Sequence, residues 1–121
     1  MGLLDRLRKS RAADLEVSVE PAIVRPGETV IARVDVKDPD GVRSELAVGL
    51  RCRRRRHDRS EVYAEWRNLE GDGPWEMPFT VPPDAPMSKD EKKGAHAWRV
   101  EVRDRRSATG DALADGSLIV K

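Results

Sequence analysis

Trp98-Arg99-Val100-Glu101-Val102-Arg103 places three apolar side chains in strict alternation with three charged ones. Successive residues of an extended strand point to opposite faces, so this order makes one face for a core and one for water. A helix would scatter the same residues round its axis. The pattern recurs on both sides of this stretch. Upstream, Trp75, Met77, Phe79 and Val81 form an apolar row, and Val62, Ala64 and Trp66 form another opposed by Glu61, Glu65 and Arg67. Leu46, Val48, Leu50 and Cys52 are backed by Arg51 and Arg53. Val30, Ala32, Val34 and Val36 alternate with Ile31, Arg33, Asp35 and Lys37, and Leu15, Val17 and Val19 with Glu16, Ser18 and Glu20. Downstream, Leu118 and Val120 make a last short strand after a loop from Ser107 to Gly116.

Turn residues separate these rows. Arg25-Pro26-Gly27-Glu28 has proline and glycine where a tight turn wants them. Asp38-Pro39-Asp40-Gly41 and Gly71-Asp72-Gly73-Pro74 punctuate the chain in the same way. Ser88 to Gly94 is a polar, lysine-rich loop. No helix-length segment lies between strands, which excludes βαβ units. The expected fold is all-β, an antiparallel two-layer sandwich of about seven strands over residues 14–121. Residues 1–13 change to helical spacing, with Leu3, Leu4 and Leu7 on one face of a short amphipathic segment. Trp66, Trp75 and Trp98 are all expected in the core, together with Phe79 and Val100.

The chain has 121 residues, enough for one core. Charged residues make up 37%, well above the usual share of about 25%. The wet faces account for them: Arg33, Asp35, Arg51, Arg67, Arg99, Glu101 and Arg103 all oppose apolar rows. Net charge is only +1, so long-range attraction to a polyanion would need a local patch. Cys52 is the one cysteine, which precludes an internal disulfide and fits a reducing cytoplasm. It continues the row from Leu46 to Leu50 and is expected in the core. No run approaches the ~20 apolar residues of a spanning helix, and the N-terminus lacks the apolar core of a signal peptide. A cytoplasmic location is expected.

Trp75-Glu76-Met77-Pro78-Phe79-Thr80-Val81-Pro82-Pro83-Asp84-Ala85-Pro86-Met87-Ser88, followed after a polar loop by Gly94 to Arg103, resembles the arrestin-like family. That family has a similar aromatic-x-Phe-x-x-Pro…Ala-Pro-x-Ser segment, a loop, and then an aromatic strand. Arg25-Pro26-Gly27-Glu28-Thr29-Val30 is similar to its early turn into the second strand. The resemblance covers about half the chain. It implies an immunoglobulin-like sandwich and a scaffold or adaptor role, as in arrestins, the retromer subunit of that fold and bacterial sporulation-control proteins. Those proteins usually carry two sandwiches, and this chain has room for one. The charged core and phosphate-sensing residues of animal arrestins have no counterpart here, so receptor binding is not carried over.

Arg51-Cys52-Arg53-Arg54-Arg55-Arg56-His57-Asp58-Arg59 sets six arginines against one aspartate. Arg51, Arg53, Arg54, Arg55, Arg56 and Arg59 could hold an acidic protein, an anionic membrane or a nucleic acid, since the guanidinium fork matches carboxylate and phosphate. A solvated hairpin neutralised by Glu61, Glu65 and Asp58 is the plainer reading. No aromatic interleaves the run, so base stacking is not supported. Leu3, Leu4 and Leu7 could dock on the sandwich, pair with a partner, lie on an anionic membrane or fray. His57 and His96 lack a second ligand at metal spacing, and Asp38-Pro39-Asp40-Gly41 lacks the closing glutamate of a calcium loop. Ser88, Asp90 and His96 share a neighbourhood but no elbow motif, and no phosphate-binding loop or dinucleotide fingerprint is present. The expectation is a non-catalytic scaffold or adaptor without cofactor. It would bind another protein or a second copy through apolar contact or strand pairing at an edge that the short final strand, Leu118 to Lys121, covers poorly, guided by the arginines. A polyanion-binding module is the alternative.

Overall fold

A computed structural model describes residues 15–37, 45–55, 60–71, 73–90, 94–105 and 112–121. Among them run nine strands: β1 (Leu15–Glu20), β2 (Ile23–Val24), β3 (Thr29–Val36), β4 (Leu46–Arg54), β5 (Glu61–Asn68), β6 (Trp75–Thr80), β7 (Lys89–Asp90), β8 (Gly94–Asp104) and β9 (Ala114–Val120). Seven of these are the alternating segments, and β2 and β7 are two-residue additions. One sheet has the order β1-β3-β6 and the other β2-β9-β8-β4-β5, with β7 on the side of β8. The described residues hold no helix, and the amphipathic segment with Leu3, Leu4 and Leu7 lies outside them, as does the turn at 38–41.

The register follows the apolar rows. Val48 sits opposite Val102, Leu50 opposite Val100 and Cys52 opposite Trp98, so each cross-strand pair shares the inner face. Val30, Ala32 and Val34 of β3 and Phe79 of β6 meet them from the other sheet, all inaccessible to water. Residues 25–28 form the turn their sequence specifies. Glu28 N–H donates to the Arg25 carbonyl at 3.1 Å, and Gly27 takes φ of 88°, a conformation open chiefly to glycine. Trp75 departs from expectation. It is only partly buried against the core, and its indole N–H reaches the Glu70 carbonyl at 2.7 Å.

Three further expectations are corrected. Strand β9 begins at Ala114, not Leu118, because Gly116 lets it approach β1: a Cβ there would lie 3.2 Å from the Val17 carbonyl oxygen. It pairs with β8 from Ala114 to Leu118 on one side and with β2 in parallel at Ile119 and Val120 on the other. The loop after Ser88 contains β7, paired to Ala95 and Gly94.

The third correction concerns β5, which is turned over. Gly49 pairs with Trp66 and Arg51 with Ala64 on the outer face, while Cys52 pairs with Tyr63, Leu50 with Glu65 and Val48 with Arg67 on the inner one. Long amphipathic side chains therefore close the core along this edge. The Tyr63 ring lies 5.8 Å from that of Trp98. The Arg67 guanidinium covers Phe79 at 4.8 Å and donates to the Pro78 carbonyl at 2.7 Å, joining the two sheets. Glu65 accepts from both Tyr63 and Arg67 and so satisfies their polar ends.

Cys52 is inaccessible to water, and burial pushes its thiol up to about 12. At neutral pH it is a thiol without nucleophilic character. In water, a thiol reagent should modify it only as fast as the domain unfolds, with labelling rising through the denaturant transition. Rapid stoichiometric labelling of the native protein would show that the core is open at β4.

Candidate anion-binding face

The outer face of the larger sheet carries the arginine run, and its centre is built on a glycine. A Cβ on Gly49 would lie 2.5 Å from the Trp66 ring, so only glycine lets that ring lie flat on β4. Arg103 stacks on Trp66 at 3.8 Å, and Arg51 lies 5.6 Å from its centroid. The sequence reading placed Trp66 in the core. It is instead an outer-face residue clasped by two cations, and the glycine opposite it was the available signal.

Arg51 is equally committed. Its Nε donates to Glu61 at 2.7 Å and its Nη1 to Glu101 at 2.9 Å, and its side chain is 14% exposed. Burial acts against its charge, but the bonds to Glu101 and Glu61 more than offset that and hold its pKa above the ordinary arginine value. Glu101 is itself buried, so this pair ties β4 to β8, while Glu61 ties β4 to β5. Neither Arg51 nor Glu101 is the solvated residue that alternation implied. Arg99 is more exposed and pairs with Asp115 of β9 at 2.9 Å.

Beyond Cys52 the pairing to β5 slips by one residue, so that Arg53 stands opposite Glu61. Such bulges sit at strand ends and redirect side chains. The backbone here is nevertheless fixed. Arg54 N–H donates to the Ser60 carbonyl and Arg55 N–H to the Ala95 carbonyl, each at 3.0 Å. Arg53, Arg54 and Arg55 are exposed, and among the described residues none is paired with an acid. With Arg51, Arg99, Ala97 and Glu101 they line a cleft of about 490 Å³. Of its five arginines, two are spent within the sheet and three face solvent from an ordered main chain. Arg56 and Arg59 lie outside the described residues, as do Leu3, Leu4 and Leu7.

This arrangement can bind carboxylate or phosphate through guanidinium forks. It offers no vacant aromatic for a base, since Trp66 is already covered by arginine. Among the described residues no group of three or more His, Cys, Asp or Glu side chains could hold a metal. Ser88 is engaged structurally: its Oγ accepts from the Val120 N–H at 3.0 Å. Among the described residues no helix is long and apolar enough to cross a membrane.

No protein-family model matches the sequence, and no curated protein does. Among solved structures the chain is similar to Spo0M, a sporulation control protein from Bacillus subtilis. Identity is 17% and the TM-score 0.50, over 89% of this chain and 49% of that one. The chain thus spans about half the length of that protein. It is also similar to a CARDB domain from Pyrococcus furiosus, at 16% identity and a TM-score of 0.43 over 88% of this chain and 89% of that one. A β-glucuronidase from Bacteroides uniformis matches at 16% identity and 0.41, over 86% and 12%. The first likeness shows the fold, a two-sheet β-sandwich, and nothing of activity. The other two are too distant to add to it.

The contrast between the two ion pairs of β8 is measurable. Glu101→Gln leaves a half-buried Arg51 short of one anion and should cost roughly 1–3 kcal/mol in denaturant titration. Asp115→Asn breaks an exposed pair and should cost about 0.2–1 kcal/mol. Equal losses would mean that the Arg51 bridge does not hold the face together.

Proposed function

We propose that this domain is a non-catalytic scaffold or adaptor of arrestin-like type, working in the cytoplasm, which binds an acidic protein surface through the arginine end of its larger sheet. A second copy of the chain is the other partner considered. The observation that carries the reading is the trio Arg53, Arg54 and Arg55: exposed, backbone-anchored, and without an acid partner among the described residues. Elsewhere on the same face each guanidinium already has a carboxylate or a ring, as Arg51, Arg99 and Arg103 do. Three cations in an ordered recess attract and orient an acidic partner. With a net charge of +1 for the chain, that attraction is local and not a field of the whole molecule. A protein partner is favoured over nucleic acid because the face has no free ring for stacking. The polyanion reading uses the same arginines with phosphate in place of carboxylate.

Replacing Arg53, Arg54 and Arg55 together with Ser should leave stability within about 0.5 kcal/mol, as for most surface changes. Binding of a fluorescent glutamate-rich peptide should fall about tenfold in low salt and differ little from wild type in high salt. Sedimentation of the unlabelled protein tests for a second copy as partner. Salt-independent binding that the variant retains would remove the arginines from the function. A short single-stranded oligonucleotide bound more tightly than the peptide, and released by the same substitutions, would establish the polyanion reading instead.

A further inference from the structure

The β8–β9 ladder of the larger sheet parts at one end, and a third segment enters between the strands. The ladder runs from Val102 opposite Ala114 to Trp98 opposite Leu118. There the strands part, and Ser88 bridges them. Its N–H donates to the Val120 carbonyl at 2.8 Å, its Oγ accepts from Val120 N–H, and its carbonyl accepts from His96 N–H at 3.1 Å. Residues round this junction line a cleft of about 690 Å³, in the size range of ligand sites.

Its lining has two characters. Met87 and Ile119, 42% and 46% exposed, supply apolar surface that the domain's own core does not cover. Arg55, Lys89 and Lys121 supply cations beside the Asp115-paired Arg99, and among the described residues no acidic side chain lines the cleft. Arg55, Ala97 and Arg99 also line the arginine cleft, so the two recesses adjoin. Within the lining, His96 is buried and its Nδ1 has no hydrogen-bond partner among the described residues.

We propose that this cleft seats a short acidic peptide segment of the partner. One apolar side chain would lie against Met87 and Ile119, with carboxylates on either side held by Lys89, Lys121 and Arg55 and onward by Arg53 and Arg54. The proposal rests on the adaptor reading and narrows it from an acidic surface to an acidic segment with an apolar anchor. Charge complementarity names the occupant: a lining whose described residues are basic and not acidic repels a basic segment, and apolar wall without partner wastes a purely acidic one. A bilayer takes up apolar side chains that project from a surface, whereas these line a recess.

Anisotropy titrations with three labelled peptides test it: Glu-Glu-Leu-Glu-Glu, its Ser-for-Leu counterpart, and Lys-Lys-Leu-Lys-Lys. The wild-type domain should bind the first about tenfold more tightly than the second, and the third not at all. Met87→Ser with Ile119→Ser, at two exposed positions, should abolish that preference while leaving affinity for the Ser counterpart and its salt dependence unchanged. Ile119→Glu is a second route to the same loss, and thermal melts confirm that each variant is folded. Equal wild-type affinity for the two acidic peptides would overturn the cleft proposal and leave the adaptor reading standing. No binding of either acidic peptide would overturn both. A preference that survives the double substitution would place the anchor elsewhere and overturn the proposal. So would tight binding to phosphatidylglycerol vesicles that the double substitution abolishes, if the leucine preference is absent.

Discussion

Strand β4 is hydrogen-bonded along both sides, to β5 and to β8, and its inner row of Val48, Leu50 and Cys52 is closed to water. That row can face only one way, because a strand has period two and a slip of one residue would turn three apolar side chains out and bring Arg51 and Arg53 in. The outer row is then fixed by default as Gly49, Arg51 and Arg53. From this follow the flat Trp66 on Gly49, the Glu61–Arg51–Glu101 bridge that laces three strands, and the position at which arginines run out of partners. The core pairing and the candidate binding face are two sides of one register.

Much of this was legible in the alternating rows, because burial of one face is what alternation encodes. The seven principal strands, the turn at 25–28 and the burial of Phe79, Trp98, Val100 and Cys52 all follow from it. The misreadings share a cause. In β5 the rows Val62-Ala64-Trp66 and Tyr63-Glu65-Arg67 each contain one aromatic, so hydropathy chose the wrong face. On an edge strand, Arg67 and Glu65 bury their stems and pair their heads, which lets a charged row close a core. In β9, Ala114-Asp115-Gly116-Ser117 has the composition of a turn and becomes strand by pairing with β8, with Gly116 easing a close approach to β1. Such information lies in the tertiary contact and not in the local sequence.

The candidate face was legible as a run of like charges but not as a geometry. Six arginines between 51 and 59 look equivalent on paper. In the fold, Arg51 is a structural bridge, and Arg53, Arg54 and Arg55 stand beyond it at the bulged end of β4. The apolar and basic cleft beside them was not legible at all. Its walls come from Met87, the end of β8 and the end of β9, three segments brought together only where the sheet splits round Ser88.

Charge distribution gives the face its direction. Among the described residues the smaller sheet neutralises itself: Arg33 lies between Asp35 and Glu76, and Lys37 pairs with Glu16. The outer face of the larger sheet does the same over most of its area, through Glu61, Glu101 and Asp115. Paired charges on a surface are hydrated and bind little. A cation without a carboxylate is different, since an incoming anion gains its attraction without displacing an existing one. Among the described residues Arg53, Arg54, Arg55 and the lysines of the neighbouring cleft have no such partner, which is why the proposed acidic ligand is placed there. A domain with 37% charged residues and a net charge of +1 thus pairs most charges on the described sheet faces and leaves an unpaired cationic group at one end of one sheet.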